Sequence, residues 1–250
     1  ARGKGLVVGL LALIVAAIAG VWWLRPDVAD GLMQRSERPD PEAAAREAAA
    51  AAAREREAAF AARDARYGML RVRALDGEGP EALPSPRAQI LLFVGRGPAI
   101  TGSLPVGRAH ELVAIAPDGG ATRSVVPADA TWAPASAADP TPQYELAMQV
   151  ASAAGEGIGP TQLPQGAMGT ATGTLGRVRV VTNPPGAKVY LLVGFGEARI
   201  DDLAATEAHE LLVVAEGAEP VRVVVGPSDW RPGPAGKQIA EVDVPVAAAP

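Results

Sequence analysis

An internal duplication constrains the fold of this chain more than any other feature of its sequence. Residues 93–126 align without a gap onto residues 192–225 at an offset of 99, and thirteen of the 34 aligned pairs are identical. Both copies contain the tetrapeptide AHEL, at residues 109–112 and 208–211, and these tetrapeptides hold the two histidines of the chain. One supersecondary unit is therefore expected twice.

Each copy consists of short runs that are typical of β-strands. In the second copy, RVRVV, AKVYLLVG, HELLVVAE and PVRVVVG are rich in β-branched residues and are bounded by the turn segments TNPPG, EGAEP and GPSDW. The flanking runs align as two further pairs of segments, 71–74 with 177–180 and 144–150 with 238–244. We predict a mainly β fold with two small antiparallel β-sandwich units, at residues 69–150 and 177–246.

The segment between the two copies shows no hydrophobic periodicity. Residues 151–176 are rich in Gly, Thr and Pro, which is typical of a flexible linker. Residues 247–250 form a short tail after the second copy.

The longest apolar run lies at residues 5–24 and contains no charged side chain. A helix of this length spans about 30 Å, which is the thickness of the hydrocarbon core of a bilayer. Trp22 and Trp23 lie near the far end of the run, where indole rings favour the headgroup layer. We predict a transmembrane helix, with a cleavable signal peptide as the alternative because Ala17-Ile18-Ala19 resembles a small-x-small cleavage site.

The charges beside this run predict its orientation. Arg2 and Lys4 precede it, whereas Asp27 and Asp30 are among the residues that follow. The positive-inside rule then places residues 1–4 in the cytoplasm and the remainder of the chain outside the cytoplasmic membrane. Small side chains recur along the span and are candidates for helix packing in the membrane, unless they only reflect an Ala-rich composition: Gly5, Gly9, Ala12, Ala16 and Gly20.

Residues 25–39 are expected to be a linker, and residues 40–68 a helix. Asp40 is a good N-cap, Pro41 suits the first helical position, and Gly68 can end the helix. The run is dominated by Ala and lacks a stripe of large apolar residues, so it is a poor core helix and a weak coiled coil. We interpret it as a semi-rigid stalk, with packing of its Ala face against a partner as the alternative.

Composition excludes several classes of function. The net charge is −5, and this acidic balance argues against nucleic acid as a partner. The chain has no cysteine, so disulfides, thiolate catalysis and cysteine metal sites are excluded.

The candidate site residues are few. His110 and His209 each open a strand in a different copy, so they do not converge on one catalytic or metal site and are expected to bond nearby backbone groups. The pair Asp201-Asp202 lacks the further oxygen ligands that calcium needs. We therefore predict no catalytic, cofactor-binding or metal-ligating residue. Trp132 and Trp230 end equivalent runs and are the candidate partner contacts, with capping of a small core as the alternative.

The second copy resembles the PEGA domain, a small β-sandwich of bacterial envelope proteins and receptor-type kinases. The resemblance is carried by VTNPPGAKVYL followed by AHELLVVAEGAEPVRVVV. Pro184-Pro185-Gly186-Ala187 stands where the family has its namesake tetrapeptide, with Pro in place of Glu, and the first copy departs further with Ser85-Pro86-Arg87-Ala88. The resemblance implies a non-catalytic extracytoplasmic module for adhesion or scaffolding.

Together these features predict a single-pass protein of the bacterial inner membrane that is not an enzyme and needs no cofactor. Its β-domains would lie in the periplasm or outside the cell, as a scaffold or accessory subunit of an envelope assembly. The expected partners are other membrane or envelope proteins and the lipid bilayer, with oligomerisation through the transmembrane helix. The alternative is the sensory half of a receptor-type Ser/Thr kinase whose catalytic part precedes Ala1.

Overall fold

The computed structural model describes residues 41–64, 66–77, 79, 81–152, 158–163 and 173–246. This part of the chain is mainly β, with 52% of residues in strands. Its helix and strands are α1 (Pro41–Asp64), β1 (Tyr67–Asp76), β2 (Leu83–Pro84), β3 (Gln89–Arg96), β4 (Ala99–Pro105), β5 (His110–Ile115), β6 (Ala121–Val126), β7 (Ala133–Pro134), β8 (Pro142–Gln149), β9 (Leu175–Asn183), β10 (Lys188–Phe195), β11 (Glu197–Ala204), β12 (His209–Val214), β13 (Val221–Val225), β14 (Arg231–Pro232) and β15 (Gln238–Val246).

The predicted transmembrane helix at residues 5–24, the linker at 25–39 and the tail at 247–250 lie outside the described residues. Within the described ranges, no helix is both long enough and apolar enough to cross a membrane. The chain divides into two units, residues 1–60 and residues 61–250. All strands belong to the second unit, and residues 67–246 are called the β body below.

Helix α1 confirms the predicted Ala-rich helix but ends at Asp64, before the predicted end at Gly68. Its described side chains are exposed, and Glu42 and Arg46 form an i,i+4 ion pair at 3.7 Å. Gly68 lies instead in strand β1, where a Cβ would stand 2.5 Å from Cζ3 of Trp230. The glycine therefore serves close packing in the β body rather than termination of the helix.

The two repeats exchange their first strands. Strand β1 of the first repeat pairs with β11 and β15 of the second, and β3 pairs with β12. Reciprocally, β9 of the second repeat pairs with β4 and β8 of the first, and β10 pairs with β5. The structure thus differs from the expected units at 69–150 and 177–246, because each group of strands draws on both repeats.

Strands β3 and β10 form the centre of this exchange. They are antiparallel, with Leu91 opposite Leu192 and Leu92 opposite Leu191. The paired positions are related by an offset of about one repeat, so a local twofold axis passes between the two strands. Their outer neighbours continue the sheet in the order β13-β12-β3-β10-β5-β6, which is called the central sheet below.

Two hydrophobic cores lie in the β body, and each contains side chains from both repeats. The first core includes Leu70 of β1, Ile90 of β3, Leu211 of β12 and Val244 of β15. The second core includes Leu112 of β5, Met148 of β8, Val178 of β9 and Val189 of β10. Neither repeat supplies all the apolar side chains that fill a core.

Two strand pairs are parallel, whereas purely antiparallel units were predicted. These pairs are β1 with β15 and β8 with β9. Parallel neighbours need a long connection, and residues 150–174 supply one between β8 and β9. Strands β1 and β15 lie at opposite ends of the β body sequence, so no hairpin turn sets their relative direction.

Strand β1 with its parallel neighbour β15 is equivalent to strand β9 with its parallel neighbour β8. The equivalent positions in the structure differ by two residues from those in the sequence alignment. Arg71 lies opposite Glu241 on the parallel neighbour, and Arg179 lies opposite Glu145. In each pair, Nη1 of the arginine is 3.0 Å from a carboxylate oxygen of the glutamate. Arg71 therefore corresponds to Arg179 rather than to Arg177. Because side chains alternate with a period of two, this shift keeps the same face buried, and the hydrophobic pattern does not detect it.

Candidate functional site

Both histidines bond the backbone of the turn that precedes their strand. Nε2 of His110 lies 2.8 Å from the carbonyl oxygen of Pro105, and Nε2 of His209 lies 2.8 Å from that of Ala204. A carbonyl oxygen only accepts, so Nε2 of each neutral imidazole donates. The structural role predicted for the two histidines is confirmed.

The two tryptophans pack at the ends of the two cores, each beside a histidine. The ring centroids of His110 and Trp132 are 6.4 Å apart, and those of His209 and Trp230 are 6.0 Å apart. A Cβ on Gly176 would lie 2.8 Å from Cε3 of Trp132, as Gly68 meets Trp230 in the other core. Trp230 is buried and Trp132 half-buried, so both indoles serve core packing first. Their use as partner contacts stays a prediction.

The free energy of unfolding is expected to decrease as the pH is lowered, because His110 titrates. Burial lowers the pKa of His110, and its hydrogen bond to Pro105 opposes this only in part. The unfolded imidazole titrates near pH ~6.5, so the unfolded state binds more protons between that pH and the lower folded pKa. The contribution is full above pH ~6.5 and is lost as the pH falls through this window.

Urea denaturation at pH 7.5 and pH 5 measures this effect, and His110→Gln, which keeps a donor but does not titrate, should flatten the pH dependence. The matched variant His209→Gln alters the same bond in the other repeat and controls for the substitution itself. Equal losses of stability in the wild-type chain and in His110→Gln would contradict the assignment.

The face of the central sheet that points away from the two cores, called the outer face, carries a third hydrophobic cluster. Its buried members on the sheet are Leu91, Val113, Tyr190, Leu192, Leu212 and Val214. The glutamate of each AHEL tetrapeptide lies on this face beside an arginine of the neighbouring strand. Glu111 bonds Arg123, and Glu210 bonds Arg222. The outer face therefore holds two equivalent charged clusters.

Glu111 is fully buried, and the side chain of its partner Arg123 is only 5% exposed. Nη1 of Arg123 donates to Oε1 of Glu111, and Nη2 donates to Oε1 of Gln89 at 2.6 Å. A buried charge is tolerated only when it is paired and hydrogen bonded. The remaining carboxylate oxygen of Glu111 therefore needs further donors.

Those donors come from residues 158–163, which are called the strap. Oε2 of Glu111 accepts hydrogen bonds from Oγ1 of Thr161 at 2.6 Å and from the backbone N–H groups of Gln162 and Leu163, each at 3.0 Å. Nε of Arg123 donates to the carbonyl oxygen of Gly159 at 2.6 Å. The sheet thus recognises the strap largely through its backbone.

The strap corrects part of the predicted linker at residues 151–176. Leu163 is 5% exposed and belongs to the outer hydrophobic cluster, and Ile158 packs against that cluster. The sequence reading missed this because a bound segment without periodicity looks the same as a free one. A signal was present in the identical pairs Glu111/Glu210 and Arg123/Arg222, which place opposite charges on adjacent strands twice.

The second cluster receives its hydrogen bonds from side chains of the sheet itself. Oε1 of Glu210 accepts from Nζ of Lys188 at 2.8 Å and from the hydroxyl of Tyr190 at 2.5 Å, and Oε2 accepts from Nη2 of Arg222 at 2.6 Å. Lys188 and Tyr190 occupy the positions of Gln89 and Leu91 in the first repeat. Two side-chain substitutions thus replace the donors that the strap provides to Glu111.

Burial and the hydrogen bonds of this second cluster shift the pKa values of Glu210 and Tyr190. Burial by itself raises the pKa of Glu210, but the hydrogen bonds from Lys188, Tyr190 and Arg222 outweigh burial and hold this pKa at about 2. Burial and the bond to the carboxylate raise the pKa of Tyr190. At neutral pH the cluster therefore combines an ionised carboxylate with a neutral phenol that donates to it.

A cleft of about 620 Å³ borders the strap. Its lining includes Ile158, Pro160, Phe195, Val214 and Pro220, with Arg87 and Glu216 as charged members. Apolar walls with a few polar groups are typical of sites that bind ligands or peptides.

Asp201 and Asp202, which were not expected to bind calcium, each lie beside an arginine. Arg199 bonds Asp201, and Asp202 lies 3.8 Å from Arg63, so salt bridges account for this acidic pair. Among the residues that the structure describes, no three His, Asp or Glu side chains are grouped so as to hold a metal ion. The candidate packing residues of the predicted transmembrane segment lie outside the described part of the chain.

Comparison with family models, curated proteins and solved structures finds no match for this chain. The likeness to the PEGA domain therefore rests on the residues quoted above.

Proposed function

We propose that this chain is a single-pass, membrane-anchored scaffold or accessory subunit that presents the β body outside the cytoplasmic membrane for protein–protein interaction. The apolar run at residues 5–24 supplies the anchor, with the length that a bilayer requires. The β body supplies the interacting surfaces. We further propose that each core with its strands is a PEGA-like β-sandwich completed by strands from the other repeat.

The observation that carries this proposal is the strap on the outer face. There the β body holds a polypeptide segment through Glu111, which accepts from two backbone N–H groups, and Arg123, which donates to a backbone carbonyl. Contacts to backbone groups combined with apolar contacts are a recurring mode of peptide recognition. A fold that holds its own segment in this way is suited to hold one from another protein.

Helix α1 supports the role of a stalk. It is 24 residues long and its described side chains are exposed, including Phe60. At 1.5 Å per residue this length gives a spacer of about 36 Å. Such a spacer would hold the β body clear of the lipid headgroups.

The exchange of strands supports a scaffold in a second way. Because β1 and β3 lie in the core that β12 and β15 help to form, and β9 and β10 lie in the core of β5 and β8, each core contains strands of both repeats. Pulling the two repeats apart would require strands to leave both cores. This arrangement suits a component that holds partners in fixed positions.

Reporter fusions after Val246 test the topology. Alkaline phosphatase folds into an active enzyme only outside the cytoplasm. A fusion of this enzyme to the full chain should therefore be active and membrane-bound. The same fusion without residues 5–24 should be inactive and soluble, and a green fluorescent protein fusion should show the converse pattern. Phosphatase activity without residues 5–24, or fluorescence with them, would contradict the proposed anchor.

Photo-crosslinking tests the interaction role. A photoreactive amino acid is placed singly at exposed positions over the whole β body of the full chain in its native membrane. The scaffold proposal expects adducts of defined mass with a separate protein from at least one cluster of positions. Absence of such adducts from every position would overturn it.

A further inference from the structure

The local twofold axis gives the strap site a counterpart in the second repeat. This counterpart, called the open face, comprises Phe93, Arg96, Lys188, Arg222 and Val224. Val125 packs against the outer hydrophobic cluster, whereas its equivalent Val224 is 53% exposed. No described segment covers the open face as the strap covers the Glu111 cluster.

The open face contains Arg222, which is equivalent to the arginine that donates to the backbone of the strap, Arg123. Nε of Arg123 donates to a carbonyl of the strap, while the equivalent Arg222 uses Nη2 for Glu210 and is 58% exposed. Among the described residues, none accepts from Nε of Arg222. A carbonyl or carboxylate oxygen can therefore bind there without breaking the Glu210 cluster.

The open face is also more basic than the strap site. Arg96 and Lys188 replace Phe195 and Gln89 of the strap site across the local axis. Lys188 and Arg222 bond the carboxylate of Glu210, and Arg96 interacts electrostatically with the neighbouring Tyr190, in a chain whose net charge is −5. Nζ of Lys188 also lies 5.7 Å from the ring centroid of Phe93. Charge complementarity therefore favours an acidic occupant.

The differences between the two sites define the occupant further. Glu111 needs backbone N–H donors from the strap, whereas Glu210 already receives its donors from Lys188, Tyr190 and Arg222. A segment that binds to the open face therefore has to supply carbonyl or carboxylate oxygens as acceptors for the cationic side chains. An apolar side chain beside those oxygens would cover Val224.

We propose that the open face binds an extended acidic segment of a partner protein, in a pose related to that of the strap. This inference rests on the proposed scaffold function and names the site and the partner chemistry. It predicts short peptides with at least two Asp or Glu residues beside a branched apolar residue. Affinity should weaken with salt, because exposed charges contribute to it.

Selection from a random dodecapeptide library on the full chain in detergent tests the proposal. Acidic sequences should be enriched, and a synthetic peptide of the enriched sequence should bind the wild-type chain in a fluorescence titration. Arg222→Gln and Val224→Ser should each weaken that binding about tenfold or more, while Arg222→Lys should retain part of it. The matched control Arg199→Gln changes an equally exposed, ion-paired arginine on β11 and should have no effect.

Several outcomes would overturn the proposal: enrichment of no acidic peptide, unchanged binding in both open-face variants, or self-association of the wild-type chain that these variants abolish. The last outcome would make a second copy the occupant. Crosslinks that arise from other positions of the β body, without binding at the open face, would reject this site while leaving the scaffold function intact.

Discussion

Replacing Glu111 with alanine is expected to destabilise the β body by about 3–5 kcal/mol, because it leaves the buried guanidinium of Arg123 without its carboxylate. The same change removes the acceptor for Thr161, Gln162 and Leu163, so the strap loses most of its polar contacts. Urea denaturation of the full chain at pH 7 measures the loss of stability.

The matched variant Glu210→Ala should cost less, about 1–3 kcal/mol. Its partner Arg222 is largely exposed, so water can replace the carboxylate. Equal costs for Glu111→Ala and Glu210→Ala would show that burial does not distinguish the two clusters. The double variant Glu111→Leu with Arg123→Met should recover much of the loss, because it removes both buried charges together.

The strap itself provides an independent readout of the same variant. Under native conditions thermolysin should cut the Glu111→Ala chain near Ile158 or Leu163 faster than it cuts the wild-type chain, because segments that open locally are cleaved first. In Glu210→Ala the rate at these residues should not change. Faster cutting in both variants would mean that the strap depends on the whole sheet rather than on Glu111.

Cutting the chain between the two repeats is expected to leave the β body intact. A site for a specific protease is inserted between residues 164 and 172, outside the described residues, and the full chain is cut in detergent. The two fragments should co-elute as a one-to-one complex in native buffer and separate only in denaturant, because each core contains strands from both fragments.

Separate refolding extends this experiment. The C-terminal fragment lacks β1 and β3, and the N-terminal fragment lacks β9 and β10, so neither can fill its core. Each fragment alone should lack a cooperative unfolding transition at the wild-type denaturant concentration, and mixing them should restore it. Fragments that separate in native buffer, each with its own sharp transition, would support two consecutive domains instead.

Much of the local structure could be predicted from particular residues. The β-branched residues in RVRVV and HELLVV, bounded by turn segments, predicted strands, and the Ala-rich run after Pro41 predicted a helix. The twice-repeated histidine predicted a role in a turn, which the bonds to Pro105 and Ala204 confirm. These features depend on contacts close in sequence.

The candidate site was predicted only in part. The shared pairs Glu111/Glu210 and Arg123/Arg222 were visible as identities between the repeats, but their burial was not. Nor could the sequence show that Thr161 and Leu163 reach Glu111, about fifty residues away, since such a contact leaves no periodic pattern. The substitutions of Gln89 by Lys188 and of Leu91 by Tyr190 acquired meaning once both clusters were compared.

The sequence by itself determined that this protein contains one β unit twice, which face of each strand is apolar, and that an uncharged run long enough for a membrane precedes them. Only the tertiary structure decided which strands share a core, that β1 runs parallel to β15 and β9 runs parallel to β8, and where the strap binds. The physical reason is that alternation specifies a buried face without specifying a partner. Identical patterns in the two repeats make strands of either repeat suitable for either core, and the chain connections and side-chain packing then select the exchange.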